Sequence, residues 1–153
     1  MKKYEFTGET KEIRLLFRTA TLHRIRATVA FGIVEVGDLG GWIEKEENLS
    51  HEGKAWVWGN AKVCGDAKVF SASHVLVIGA IGSRNDFTTF YRDKDNEITV
   101  KCGCFLGKID RFLEKVTQTH GDSKYALVYR AAVEVAKLQI DLSGEAPKDA
   151  DEE

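Results

Sequence analysis

From Gly53 the chain reads GKAWVW, GNAKVC, GDAKVF, SASHVL. A valine returns every six residues at Val57, Val63, Val69 and Val75, with Ala55, Ala61, Ala67 and Ser73 two places before each. A period of six does not fit a helix of 3.6 residues per turn, but it suits a chain that turns a corner after each short strand. The pattern predicts a parallel β-helix with the valines pointing inward and the small residues at the corners. The preceding stretch GDLGGWIEKEENLSHE, residues 37–52, is expected to cap the coil, with Trp42 and Ile43 as an apolar plug. Before it, EIRLLFR and TLHRIRATVAFGIV are rich in β-formers and predict an N-terminal hairpin. Strand alternation sets Leu22, Arg24, Arg26 and Thr28 opposite His23, Ile25 and Ala27. His23 with Arg24 and Arg26 forms either an anion patch or a charged sheet edge that discourages pairing.

Beyond Val75 the six-residue period ends. HVLVIGAIG, FTTFYR and EITVKCGCF predict three strands, with DKDN as a turn. The period then becomes helical: Ile109, Phe112, Leu113 and Val116 share a face, and Gly121 is a natural stop. Asp122 or Ser123 can cap a second helix, whose stripe of Leu127, Val128, Ala131, Val135 and Leu138 runs to about Asp141. The domain organisation expected is an N-terminal β segment with the hexad coil over 1–76, a C-terminal α+β module over 77–142, and an acidic disordered tail over 143–153.

Composition narrows the classes of function. The 153 residues are 43% hydrophobic and 30% charged, and no apolar run approaches a membrane span of about 20 residues. The start MKKYEFTGET is not followed by an apolar stretch, so a cytoplasmic protein is expected. The net charge of −2 hides a basic first 30 residues, seven Lys or Arg against three acids, and an acidic end. Duplex nucleic acid is not an expected partner, because phosphate neutralisation needs a clear basic excess on one face. Cys64, Cys102 and Cys104 form no C-x-x-C pair, so reduced thiols are expected, with no metal and no cofactor. No Ser/His/Asp or Cys/His set is marked out by spacing, so no catalytic residues are assigned. His74, inside the last hexad, is the single candidate for a general base.

The densest polar cluster is GAIGSRNDFTTF, residues 79–90. Ser83, Asn85, Asp86, Thr88 and Thr89 supply hydrogen-bonding groups, and Arg84 supplies a fork of donors suited to phosphate or carboxylate. Phe87, Phe90 and Tyr91 offer stacking surfaces, while Arg92 and Lys101 on adjoining strands can add positive charge. Together they suit a nucleotide-like or other small phosphorylated ligand.

The hexads resemble the repeat of left-handed β-helices, in which three hexads close a triangular coil of about eighteen residues. The ensemble KYEFTGET, LHRIRA, GDLGGWIEKEENLSHEG, the hexads, and IGSRNDFTTFYRDKDNEITVKCGCFLGKIDRFLEKVTQTHGDSKYA is similar to a hexapeptide-repeat family of phages and prophages of Gram-positive bacteria. The resemblance implies an α+β fold: an N-terminal β-hairpin and a short left-handed β-helix coil, then a small three-stranded sheet with two C-terminal helices. It also implies a phage context. The function expected is a non-enzymatic phage counter-defence protein in the infected host's cytoplasm that sequesters a nucleotide-type immune signal. The alternatives are inhibition of a host defence protein by direct binding, and an acyltransferase using His74. Open coil ends, Trp56 and Trp58 expected on the surface, and the long helix stripe predict a homo-oligomer, most simply a dimer.

Overall fold

The structure is a computed structural model that describes residues 2–144. It begins with two long strands, β1 (Tyr4–Arg14) and β2 (Thr19–Ala27), paired as an antiparallel hairpin. β3 (Leu39–Ile43) pairs antiparallel with β2, and β4 (Lys62–Val63) pairs parallel with β3. The first sheet therefore has the order β1-β2-β3-β4. A second sheet is an antiparallel meander of β5 (Val75–Ile81), β6 (Asp86–Arg92), β7 (Ile98–Cys102) and β8 (Phe105–Lys108). Helices α1 (Ile109–His120) and α2 (Lys124–Gln139) follow.

This overturns the fold expected from the hexads. Among the described residues there are two four-stranded sheets, largely antiparallel, rather than a left-handed β-helix followed by a three-stranded sheet. The valines are nevertheless internal: Val57, Val63 and Val69 are fully buried beside Ala55, Ala61 and Ala67, while Val75 is half-buried at the start of β5. A β-helix needs successive coils that hydrogen-bond to one another, and the hexads pass β3 only once before the chain departs into β5. Gly41, Trp42 and Glu44 donate to the carbonyls of Val57, Ala61 and Val63, and Leu49 bridges Val69. Of the first three hexads only Lys62 and Val63 are in a strand, and the fourth runs into β5 at Val75.

Gly41 makes this approach possible, since a Cβ there would fall 2.1 Å from the Trp58 carbonyl oxygen. The stretch expected to be a cap is thus β3 and a turn. Asn48 locks that turn from within: its Oδ1 accepts from the amides of Glu44 and Lys45, and its Nδ2 donates to the carbonyls of Gly65 and Ala67.

The first sheet buries opposite faces at its two ends. Ile25, Ala27 and Ile43 join the hexad valines and Trp56 in one cluster, while Leu22, Trp42, Ile13 and Cys64 form another. Trp56, expected outside, is 2% exposed and wedged against Phe31 and Tyr4; Trp58 is half-exposed. The charged strand β2 is central, not an edge. Its arginines are matched by acids of β1, Arg24 with Glu9 at 3.2 Å and Arg26 with Glu5 at 2.6 Å, and His23 stacks on Phe6. Two of the seven basic residues at the start of the chain are thus paired within the hairpin, while Lys2 and Arg18 pair outside it with Glu46 and Glu44.

The second sheet is covered on both faces. Phe90, Ile98 and Val100 pack against Phe112, Val116, Tyr129 and Val133 of the helices, whereas Tyr91 joins the hexad core. The expected third strand, EITVKCGCF, is two strands, because Gly103, in the left-handed region at φ 57°, turns the chain between Cys102 and Phe105. α1 buries the face its periodicity predicts. α2 does not: Ala126, Tyr129, Val133, Ala136 and Ile140 face the sheet, and Leu127, Ala131, Val135 and Leu138 are turned to solvent. No helix among the described residues is long and apolar enough to cross a membrane. The expected acidic tail falls mostly on 145–153, outside the described residues.

Candidate functional site

The turn from β5 to β6, residues 82–85, opens beside a cleft of about 220 Å³ between the second sheet and the helices. Ser83, Arg84, Asp86 and Thr88 line it. Asn85 sits at the exposed apex of the turn with φ 50°, a left-handed conformation that asparagine tolerates. Gly82 is needed here, because a Cβ would fall 1.8 Å from the Tyr129 hydroxyl oxygen that closes over it. The Asp86 carboxylate accepts the Phe87 amide at 2.7 Å.

Strand alternation sends Phe87, Thr89 and Lys101 to the other face, while Arg92 shares the parity of Thr88 but lies at the far end of β6. Thr89 lies on the opposite face of β6, where its hydroxyl accepts the Lys62 amide from the hexad segment at 3.1 Å. Phe87 is half-buried on that same side against Gly79. Lys101 stands opposite Thr89, so it too faces the hexad segment; it is buried, and its ammonium donates to the Gly103 carbonyl. Burial, with Lys62 nearby, holds the Lys101 ammonium below its ordinary pKa. Arg92, at the far end of β6, is buried, donates from Nε to the Lys68 carbonyl at 3.0 Å and lies over Phe70. Thr89, Lys101 and Arg92 thus sit at the seam between the two halves of the chain, with Tyr91, whose hydroxyl donates to the Cys64 carbonyl at 2.8 Å.

The remainder of the cleft comes from residues that composition did not single out. Cys102 and Phe105 rise from β7 and β8, with Cys104 in the turn between them. Phe112, Lys115, Val116, Thr119 and His120 come from α1 and Tyr129 from α2. The α1 set is spaced i, i+3, i+4, i+7, i+8, which places it along one helix face; that spacing was the available signal. Phe112 meets Phe105 at 5.5 Å and Tyr129 edge-on at 5.7 Å, and His120 stacks on Tyr129 at 5.6 Å. Burial and the neighbouring Cys102 thiol push the Tyr129 phenol up to about 12, so it is a neutral donor at physiological pH. Thr88 and Cys102 meet at 3.5 Å. The result is an aromatic floor with Arg84, Lys115 and His120 as basic groups and Asp86 as the one carboxylate lining it.

His74 is elsewhere. Its Nδ1 accepts the amides of Phe70 and Ser71 at 3.0 and 3.1 Å, so it closes the corner before β5. Burial, reinforced by the Arg92 guanidinium, holds its imidazole below the ordinary range. Among the described residues no cluster of three or more His, Cys, Asp or Glu side chains is placed to hold a metal ion.

No family model matches the chain, and no curated protein matches it.

Proposed function

We propose that this chain is a non-enzymatic, phage-encoded binding protein that sequesters a nucleotide-type signal in the cleft between β6, β7 and α1, and so acts as a counter-defence factor in the cytoplasm of an infected bacterium. One observation carries the ligand class. An aromatic floor lies beside Arg84 and Lys115, and neither cation forms an ion pair among the described residues. A flat base fits the floor, and a phosphate suits the cations. The phage context rests on the resemblance of the hexads and their flanks.

Thermal shift and calorimetry with the ribonucleoside monophosphates test the reading. Binding raises the melting temperature by mass action, and Arg84→Glu is expected to weaken it at least tenfold through loss of a charge-assisted hydrogen bond. No stabilisation by any nucleotide, together with none released on heat denaturation of the purified protein, removes it.

Direct inhibition of a host protein is the second reading, favoured by Phe17, Ile33 and Val36, which stand out into solvent. It predicts a co-purifying defence enzyme and no bound nucleotide. The acyltransferase alternative would need a free base at His74, whose Nδ1 is already engaged by two amides. A homo-oligomer also belongs to this proposal, supported by the apolar outer stripe of α2.

A further inference from the structure

A second concavity adjoins the cleft. It measures about 390 Å³ and is lined by Leu16 and Phe17 at the tip of the β1–β2 hairpin, by Phe105 to Lys108, and by Arg111, Glu114, Lys115 and Gln118 of α1. The two hollows share Phe105 and Lys115, which form the wall between them. The hairpin tip is fastened there, since the Leu16 amide donates to the Cys104 carbonyl at 3.1 Å. Phe17 nevertheless remains 95% exposed, although an aromatic side chain held beside a groove gains from being covered.

The two hollows repeat one set of chemical groups. The first has an aromatic floor, one carboxylate (Asp86) and a cation at its mouth (Arg84). The second has Phe17 and Phe105, one carboxylate (Glu114) and Arg111. Lys115 belongs to both. Neither Arg111 nor Lys115 forms an ion pair among the described residues, whereas Lys108 is already taken by Asp93, Asp95 and Glu97.

We infer that the ligand is a dinucleotide: one base lies in the first hollow, the second base stacks on Phe17 in the adjoining groove, and the bridging phosphate sits over Lys115. Arg84 and Arg111 flank that bridge from either side. Asp86 and Glu114 each accept from an exocyclic amino group or a ribose hydroxyl. This inference rests on the nucleotide reading above and specifies its substrate class.

Calorimetry of the full chain tests it with the four ribonucleoside monophosphates and the matching homodinucleotides, linear with a 5′-phosphate and cyclic. At least one dinucleotide is expected to bind about tenfold or more tightly than its mononucleotide, the scale of one stacked base. Phe17→Ser, which removes no buried surface, is expected to bring that dinucleotide back to the affinity of the mononucleotide. If mononucleotides bind and no dinucleotide binds more tightly, or if the difference survives Phe17→Ser, the dinucleotide inference is overturned while the single cleft stands. If neither class binds, the nucleotide reading and this inference fall together.

Discussion

Asn48 shows how much one side chain can organise. Fully buried, it uses both its acceptor and its donors on four backbone groups and ties the β3 turn to the third hexad. Asn48→Ala leaves buried amides and carbonyls unmatched, and a loss of about 3 kcal/mol in urea unfolding is expected. His74 makes a pH-dependent contribution of known sign. Its folded-state pKa lies below the ordinary value of 6.5, so below pH 6.5 the unfolded chain takes up a proton that the folded chain resists. Stability therefore falls as pH drops through and below 6.5, by up to about 1.4 kcal/mol per pH unit, and is indifferent to this group above it. His74→Asn keeps an acceptor for the two amides without the titration, so its urea midpoint should change less between pH 7 and 5. At this scale the candidate site was half legible. Ser83, Arg84, Asp86 and Thr88 were found by composition, but Thr89 differs from Thr88 only in strand parity, and composition does not separate the two faces of a strand.

Periodicity identified elements more firmly than partners. α1 carries one apolar stripe and buries it. α2 carries two, Ala126/Tyr129/Val133/Ala136/Ile140 and Val128/Ala131/Val135/Leu138, each spaced three then four residues apart on opposite sides. The more hydrophobic stripe was expected inside; the one with more alanine is inside, because small side chains let the helix settle close to the sheet around Tyr129. The hexads teach a similar lesson. That the valines are internal was readable, but which segment lies alongside them depends on β3, and β3 depends on Gly41. Gly41→Ala places a methyl 2.1 Å from a carbonyl oxygen of the neighbouring segment. It is expected to lower the melting temperature by about 6–12 °C, on the scale of about 3 kcal/mol.

For the whole molecule, the proposed self-association has a direct test. Leu138 is 88% exposed on the outer stripe of α2, so Leu138→Glu costs the monomer little. Light scattering is expected to show the parent as a dimer and this variant as a monomer; a monomeric parent would discard the proposal. The two halves of the chain are also expected to unfold together. Lys62 to Thr89, Tyr91 to Cys64, Lys68 to Arg92 and Lys94 to Asp66 are all hydrogen-bonded across the seam. Tyr91→Phe should lower stability by about 1–2 kcal/mol while leaving a single transition.

β6 is a party wall, with Thr88 facing the cleft, Phe90 packed under the helices, and Thr89 and Tyr91 mortised into the hexad side. Transplanting residues 75–140 onto another scaffold as a ready-made receptor would strip the back of that wall. A working graft must import Lys62, Cys64 and Lys68 with it, or supply substitutes for the backbone groups they offer.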